Sequence, residues 1–286
     1  MRPIVSIVVP CHRARDTLPE TVESVLAQTF ADWELILVSD DGADYLAELG
    51  EGGLRDSRIR QHPLRTLRRG HVAARNRGLG MARGLLVADL DADDLWRPER
   101  LAMLAPLAHR YGAAQDALEC FDDRGVIGRY GPKDGRAAAL SPALAACFDM
   151  PFHLVARREL AGNVWFPHAS YAPDPVRAAV LAARSTLVWL GHAGLRYRVH
   201  GQSMSQSVSG GWRVDASYGD ILHRLVQGDA YGLTAPHLIP VIAGFRRKLW
   251  LNRRHMALRR QDPATPPFVA WVLSMPTTAY LGRPFG

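Results

Sequence analysis

The chain has 286 residues, 48% of them hydrophobic, enough for one large α/β unit with a smaller appendage, and this composition excludes a disordered chain. Its 35 Lys and Arg against 28 Asp and Glu give a formal charge of +7, but the excess is nearly all Arg in an Ala- and Gly-rich sequence without a nucleic-acid motif, so no nucleic-acid partner is expected. The cysteines Cys11, Cys120 and Cys147 are far apart and lack C-x-x-C spacing, which excludes a zinc site and a disulfide framework and fits a reduced, cytoplasmic chain.

In chain order, Ile4 to Val9 is a β-branched run closed by Pro10 with no small-residue cleavage site after it, so it reads as a buried strand and not a signal peptide. Leu18, Val22, Val25 and Leu26 then repeat at helical spacing, with Asp16 or Thr17 as cap. Trp33 to Val38 reads as a second strand, Arg58 to Gln61 as a short third, Val72 to Ala82 as a helix of small residues, and Gly84 to Leu90 as another buried strand. This alternation predicts an α/β fold with a Rossmann-like, mostly parallel sheet flanked by helices. Ligands of such sheets bind beyond the carboxyl ends of the strands, where Cys11-His12-Arg13, Ser39-Asp40-Asp41 and Asp91-Ala92-Asp93-Asp94 fall. Past Arg110 the pattern weakens. Gly125 to Gly135 reads as irregular and turn-rich, Phe152 to Ala156 as a strand, and Val176 to Arg184 as a helix. Thr186 to Leu190 and Leu195 to His200 read as a strand pair joined through Gly191 and Gly194, and Gly201 to Gly211 as a mobile segment. From Asp215 onward helices precede a Pro-rich tail, and no stretch reaches the roughly 18 apolar residues of a membrane span.

The strongest chemical signal is Asp89-Leu90-Asp91-Ala92-Asp93-Asp94, followed by Leu95-Trp96-Arg97-Pro98 and a helix beginning near Pro98. Residues two apart in an extended segment point the same way, so Asp91 and Asp93 converge on one hard cation, whose remaining positions suit diphosphate oxygens and water. Such a cation neutralises the charge that develops as a nucleotide diphosphate leaves.

Around this cluster stand three further blocks: Val5-Ser6-Ile7-Val8-Val9-Pro10 with the helix through Ser24 to Gln28, Val38-Ser39-Asp40-Asp41-Gly42, and Gly70-His71-Val72-Ala73-Ala74-Arg75-Asn76-Arg77-Gly78. With Leu90-Asp91-Ala92-Asp93-Asp94 they resemble, in order, the blocks of family 2 glycosyltransferases, strongly over the first third of the chain and loosely over the next. The resemblance implies a GT-A fold and metal-dependent, inverting transfer of a hexosyl or N-acetylhexosaminyl group from a nucleotide diphosphate to a hydroxyl. It implies a donor-nucleotide site made by Pro10, His12, Asp40, Arg75, Asp91 and Ala92. Within it Asp40 accepts a uracil imide N–H, Arg75 approaches the nucleotide or diphosphate, and Asp91 faces the donor sugar or ribose. It makes Asp93 the direct ligand of Mn2+ or Mg2+. Cys11-His12-Arg13 departs from the family's Thr-Tyr-Asn, and Ser39 stands where the family has Asp.

An inverting transfer needs a base for the acceptor proton. The family places an acid before a helix for this, and Asp174 in Tyr171-Ala172-Pro173-Asp174-Pro175 matches, although Asp before Pro is also an ordinary helix cap, and Asp149 and Glu159 are weaker alternatives. Tyr197 to Ser205 resembles a late family segment in which His200 ligates the metal or bonds a phosphate. The basic, apolar-interleaved stretch from Phe245 through Arg260, with Phe268 to Leu273 after it, leaves two readings open: docking at the inner face of an anionic membrane beside lipid-linked acceptors, or packing on the catalytic domain or on the partner in a homodimer.

The expected organisation is a catalytic domain over 1–211, with a nucleotide-binding half over 1–110 and an acceptor half over 111–211, and a helical C-terminal extension over 212–286. A UDP-sugar is the favoured donor, and a bacterial cell-surface glycan, a lipid-linked sugar or a small molecule the acceptor. A dehydrogenase reading of Gly78-Leu79-Gly80-Met81-Ala82-Arg83-Gly84 fails, because the last glycine is one residue late and the motif precedes its strand. A sugar nucleotidyltransferase would share the fold type and the metal carboxylates, but the Gly-rich, Arg-containing loop expected after its first strand is missing. The remaining rival is a degenerate relative that binds nucleotide or glycan without turnover.

Overall fold

The computed structural model of the chain describes residues 2–64, 66, 69–132, 135–147, 153–161, 171–200, 208–229, 231–262, 264–266, 268 and 271. Its first half alternates as the hydrophobic runs require: β1 Val5–Cys11, α1 Leu18–Leu26, β2 Trp33–Ser39, α2 Tyr45–Glu51, β3 Ile59–Pro63, α3 His71–Met81 and β4 Leu86–Asp89. β1 lies between β2 and β4, and β3 joins the outer edge of β2, all parallel. Side-chain alternation sends Val5, Ile7 and Val9 to one face, against Leu18, Val22 and Val25 of α1, and Val8 to the other, against Val72 and Leu79 of α3.

The second half is mixed. It contains β5 Leu95–Trp96, α4 Arg100–Tyr111, β6 Gly112–Asp122, β7 Gly125–Tyr130, β8 Ala137–Leu140, α5 Pro142–Cys147, β9 Val155–Arg157, α6 Asp174–Arg184 and β10 Thr186–Arg198. The sheet runs β3-β2-β1-β4-β9-β6-β10-β5, with β7 beside β6 and β8 beside β10. β9 is antiparallel to both its neighbours, β4 and β6, so it joins the parallel N-terminal half to the rest of the sheet. The α/β class and the helical C-terminal extension are as expected. That extension consists of α7 Val208–Val226 and α8 Ala235–Gln261, which pack on each other, while α8 also packs on α5. Among the described residues no helix is long and apolar enough to cross a membrane.

Three local readings change. Residues 125–130 are not irregular: a turn at Asp123 and Arg124 folds them back as β7 on β6, so this is a hairpin. Thr186 to Arg198 is one strand, not two; Gly191 and Gly194 sit in a register shift between Leu190 and Leu195, where a bulge and not a turn uses the small residues. Thr17 does occupy the cap position of α1, yet its hydroxyl donates to the Ala92 carbonyl at 2.8 Å instead of accepting from its own helix. Phe152, residues 201–207, most of the residues beyond 262 and Asp149 lie outside the described residues, whereas 208–211 open α7.

Gly78, the last residue of the Ala-Arg-Asn-x-Gly block, shows why that block ends in glycine. A Cβ there would lie 2.2 Å from Val8 Cγ1 and 3.2 Å from Val38 Cγ2, so α3 sits on β1 and β2 at a distance that no side chain fits. Val is stiff at χ1, and relief requires the helix to shift. Gly78→Ala is therefore expected to destabilise by about 1–3 kcal/mol. In thermal unfolding this reads as a midpoint lowered by roughly 3–10 °C; an unchanged midpoint would mean that α3 does not pack this closely.

Candidate active site

The carboxyl ends of β1, β2 and β4 lie side by side, Cys11 opposite Ser39 and Val8 opposite Asp89. Pro10 is half-buried opposite Val38, and His12 is exposed just beyond β1. Asp40 is buried at the end of β2, where its two oxygens accept the backbone N–H groups of Arg69 and Gly70, both at 2.8 Å. Gly70, at φ 83°, makes the turn into α3. The neighbouring Asp41 holds the chain after β1: it accepts from the Arg13 N–H at 2.7 Å, the Tyr45 hydroxyl at 2.7 Å, the Ser39 hydroxyl and the Ala43 N–H. Those donors outweigh burial and pull its carboxyl down to about 2.

Arg75, on the second turn of α3 and buried, is ion-paired with Asp91 two residues past β4. Its guanidinium also lies within electrostatic reach of Asp174, Asp89 and Asp93. A second buried arginine, Arg177 of α6, pairs with Asp89, the last residue of β4. Asp93 meets His200 just after β10, with Nε2 2.9 Å from a carboxylate oxygen, and the Asp93 carbonyl accepts from Arg198 Nε at 2.8 Å. Asp94 turns inward, fully buried; one oxygen accepts the Arg198 N–H at 2.8 Å and the other stands 3.3 Å from His153 Nε2, which is itself 3.6 Å from Asp91. The Ala92 carbonyl accepts from the hydroxyls of Thr17 and Thr21, so α1 fixes the height of the acidic turn. His153 is held through its carbonyl by Arg100 of α4, which grips Asp116 of β6 at the same time.

Five carboxylates, those of Asp89, Asp91, Asp93, Asp94 and Asp174, thus crowd around two buried arginines. Burial, reinforced by Asp93 and Asp91, pushes the Asp94 carboxyl well above its ordinary range. Burial also raises that of Asp174 to about 6, opposed by Arg75 and Arg177 and helped by Asp91 and Asp89. Desolvation lowers the His153 imidazole to about 4, so this ring is neutral near pH 7. An excess of negative charge with imidazole beside carboxylate suits a divalent cation. Two donor groupings fit: Asp93 with His200, and Asp91, Asp94 and His153, whose ligand atoms all lie within 4.8 Å of one another. The second includes a buried Asp94 oxygen that has no hydrogen-bond partner among the described residues.

Asp174 is the first residue of α6, and Pro173, not Asp174, occupies the cap position. The segment before it is fastened from the C-terminal helices: the Ser217 hydroxyl of α7 accepts the N–H groups of Tyr171 and Ala172, each at 3.0 Å. Glu159, in contrast, is exposed and paired with Arg157 at 3.3 Å. The structure therefore brings Arg75, Asp91, Asp93, His200 and Asp174 into one electrostatic cluster, with Asp40 and Ala92 in the turns that frame it. Sequence reasoning missed His153 and Arg177. Arg177 lies three residues after Asp174, on the same helix face, which was a readable signal; His153 has none.

The glycosyl transferase family 2 profile matches residues 6–173. UDP-Glc:alpha-D-GlcNAc-diphosphoundecaprenol beta-1,3-glucosyltransferase WfgD of Escherichia coli is 31% identical over 129 residues, 44% of this chain and 50% of that protein. S. aureus TarS in complex with UDP-GlcNAc superposes over 90% of this chain and 74% of its own, with a TM-score of 0.67 and 18% identity. The mannosyltransferase PcManGT from Pyrobaculum calidifontis, in complex with GDP-Man and Mn2+, superposes over 96% of this chain and 79% of its own, with a TM-score of 0.58 and 19% identity. At these identities the likeness to both structures is one of fold. The chain spans between 36% and 50% of the length of three bacterial relatives, two of them named for teichuronic acid and succinoglycan biosynthesis.

Proposed function

The chain belongs to glycosyl transferase family 2, and from that premise we propose that it is a nucleotide-sugar-dependent glycosyltransferase that moves a sugar from UDP to an acceptor hydroxyl with inversion, assisted by a divalent metal, Asp174 serving as base. The observation that carries this reading is the Asp174 carboxyl, raised to about 6 beside the Arg75 and Asp91 cluster although these two lie 99 and 83 positions before it in the chain. A carboxyl of that strength is ionised at neutral pH and still basic enough to take a hydroxyl proton. The acceptor oxygen, as its proton passes to Asp174, attacks the anomeric carbon from the side opposite the leaving diphosphate, which inverts the centre in one displacement. Arg75 orients the donor end of the site through Asp91, and Asp40 with Pro10 and His12 borders the base. A Mn2+ or Mg2+ ion held by Asp93 and His200 would supply charge neutralisation to the leaving diphosphate. UDP is favoured by Asp40 and by the UDP-sugars in the descriptions of TarS and WfgD; the diphosphoundecaprenol sugar in the latter favours a lipid-linked acceptor.

Calorimetric titration of UDP and of GDP into the wild type and Asp93→Ala, each with and without Mn2+, tests the donor site. UDP is expected to bind in the presence of Mn2+ and to lose roughly a hundredfold in affinity without the metal or without Asp93. Absence of metal-dependent binding of either nucleotide would reject the metal-assisted reading, and preference for GDP would reject the assignment of the base.

A further inference from the structure

The 27 residues of α8 include no Asp or Glu. One face of this helix is committed to the fold, with Val241, Phe245, Leu249 and Met256 buried. The opposite face is in solvent along its whole length: Ile239, Arg246, Trp250, Arg253, Arg254 and Arg260 are exposed, Ile239 at 74% and Trp250 at 56%. Between this face and Leu222 of α7 lies a groove of about 530 Å³ whose floor is Leu222 and Leu249 and whose rim is Trp250 with Arg246, Arg253 and Arg254. The Arg254 guanidinium stacks on Trp250 at 5.2 Å, and Arg260 stacks on the half-exposed Trp212 of α7 at 4.6 Å. Among the described residues Arg253 is ion-paired with Asp215, and no carboxylate pairs with Arg246, Arg254 or Arg260.

We propose that this outer face of α8, centred on Trp250 and the groove beside Leu222, docks the protein on an anionic bilayer. Indole rings and arginine stems place an apolar body at the headgroup level while the guanidinium heads meet lipid phosphates, and an exposed isoleucine adds area that only an apolar layer rewards. Charge selects the occupant. A second copy meeting this face symmetrically would set arginine against arginine, whereas an anionic leaflet complements all of them. The helix lies on the surface and does not cross it. This docking is independent of donor chemistry, so it is read in binding alone.

Co-sedimentation of the full chain with phosphatidylcholine vesicles, with and without phosphatidylglycerol, tests it. Binding is expected on the anionic vesicles and to be much weaker on the neutral ones. Arg246→Gln/Arg253→Gln/Arg254→Gln should reduce the partition coefficient by roughly ten- to a hundredfold. Trp250→Ala should reduce it several-fold even at salt high enough to screen the arginines. A charge-matched control, Arg55→Gln/Arg110→Gln/Arg124→Gln, removes three exposed arginines elsewhere and should bind nearly as the wild type. Equal losses in the two triple variants would reduce the effect to overall charge and overturn the proposal. So would equal binding to neutral vesicles, or a dimer in light scattering that only the α8 variant dissociates. The same assay on Asp174→Asn keeps the docking question apart from turnover.

Discussion

Asp174→Asn is expected to lower the transfer rate by about 10²–10⁴ while leaving donor affinity within a few-fold of the wild type, because it removes a proton acceptor and not a donor contact. The same substitution is expected to make the protein more stable at neutral pH. Burial holds the Asp174 carboxyl near 6 in the folded chain, above its value in an unfolded one. At a pH below both values the group is protonated in both states and carries no penalty; as pH rises through 6 the folded chain must ionise a partly desolvated carboxyl, and stability is lost. Asparagine keeps the neutral shape at every pH, so the variant should gain roughly 1–3 kcal/mol above pH 7 and nothing near pH 3. The wild-type rate, in turn, should climb with pH along a limb centred near 6 that the variant lacks. Rate–pH profiles and denaturant unfolding at both pH values check the two halves. A variant that is inactive but no more stable than the wild type would mean that the carboxyl is not desolvated; one that retains its rate would remove Asp174 from the base role.

The largest stability loss is expected from Arg100→Met. The Arg100 side chain is fully buried; it pairs with both oxygens of Asp116, donates to the His153 carbonyl at 2.8 Å and stacks on Trp96 at 4.6 Å. Methionine fills much of the volume but leaves the Asp116 carboxylate desolvated without a counter-charge, a defect of about 3–5 kcal/mol. For a chain of this length the unfolding midpoint should fall by roughly 10 °C. Arg100→Met/Asp116→Leu removes both charges and should recover most of the loss. If the single variant is as stable as the double, the pair contributes little and the cost lies elsewhere.

That ion pair also explains where reading the sequence stopped. β1, β2, α3 and β4 are legible because their burial is apolar and local: β-branched runs for the strands, small residues for the helix packed on them. β6 is equally buried, yet Gln115 and Asp116 interrupt its apolar run, and a carboxylate in a strand interior looks like a loop until Arg100 of another element is known to meet it. The glycines of β10 suggest a strand pair in the sequence for the same reason. A Cβ on Gly194 would lie 2.2 Å from an Asp116 oxygen, so this glycine makes room for the pair and does not mark a turn. In the site, Asp91, Asp93 and Asp174 could be named because they sit in short contiguous motifs. His153 could not, since its significance comes wholly from the two carboxylates that the fold brings beside it.

The hydroxyl of Ser217 ties the C-terminal helices to the edge of the candidate site. By accepting two backbone N–H groups from the segment just before Asp174, one oxygen makes a late helix a structural neighbour of the residue assigned to proton removal. A chimera in which α7 is replaced by a foreign segment would have to offer a hydroxyl or carbonyl acceptor where Ser217 stands. Without such an acceptor the Tyr171 and Ala172 N–H groups lose their partner, and the start of α6 that carries Asp174 loses its tie to α7.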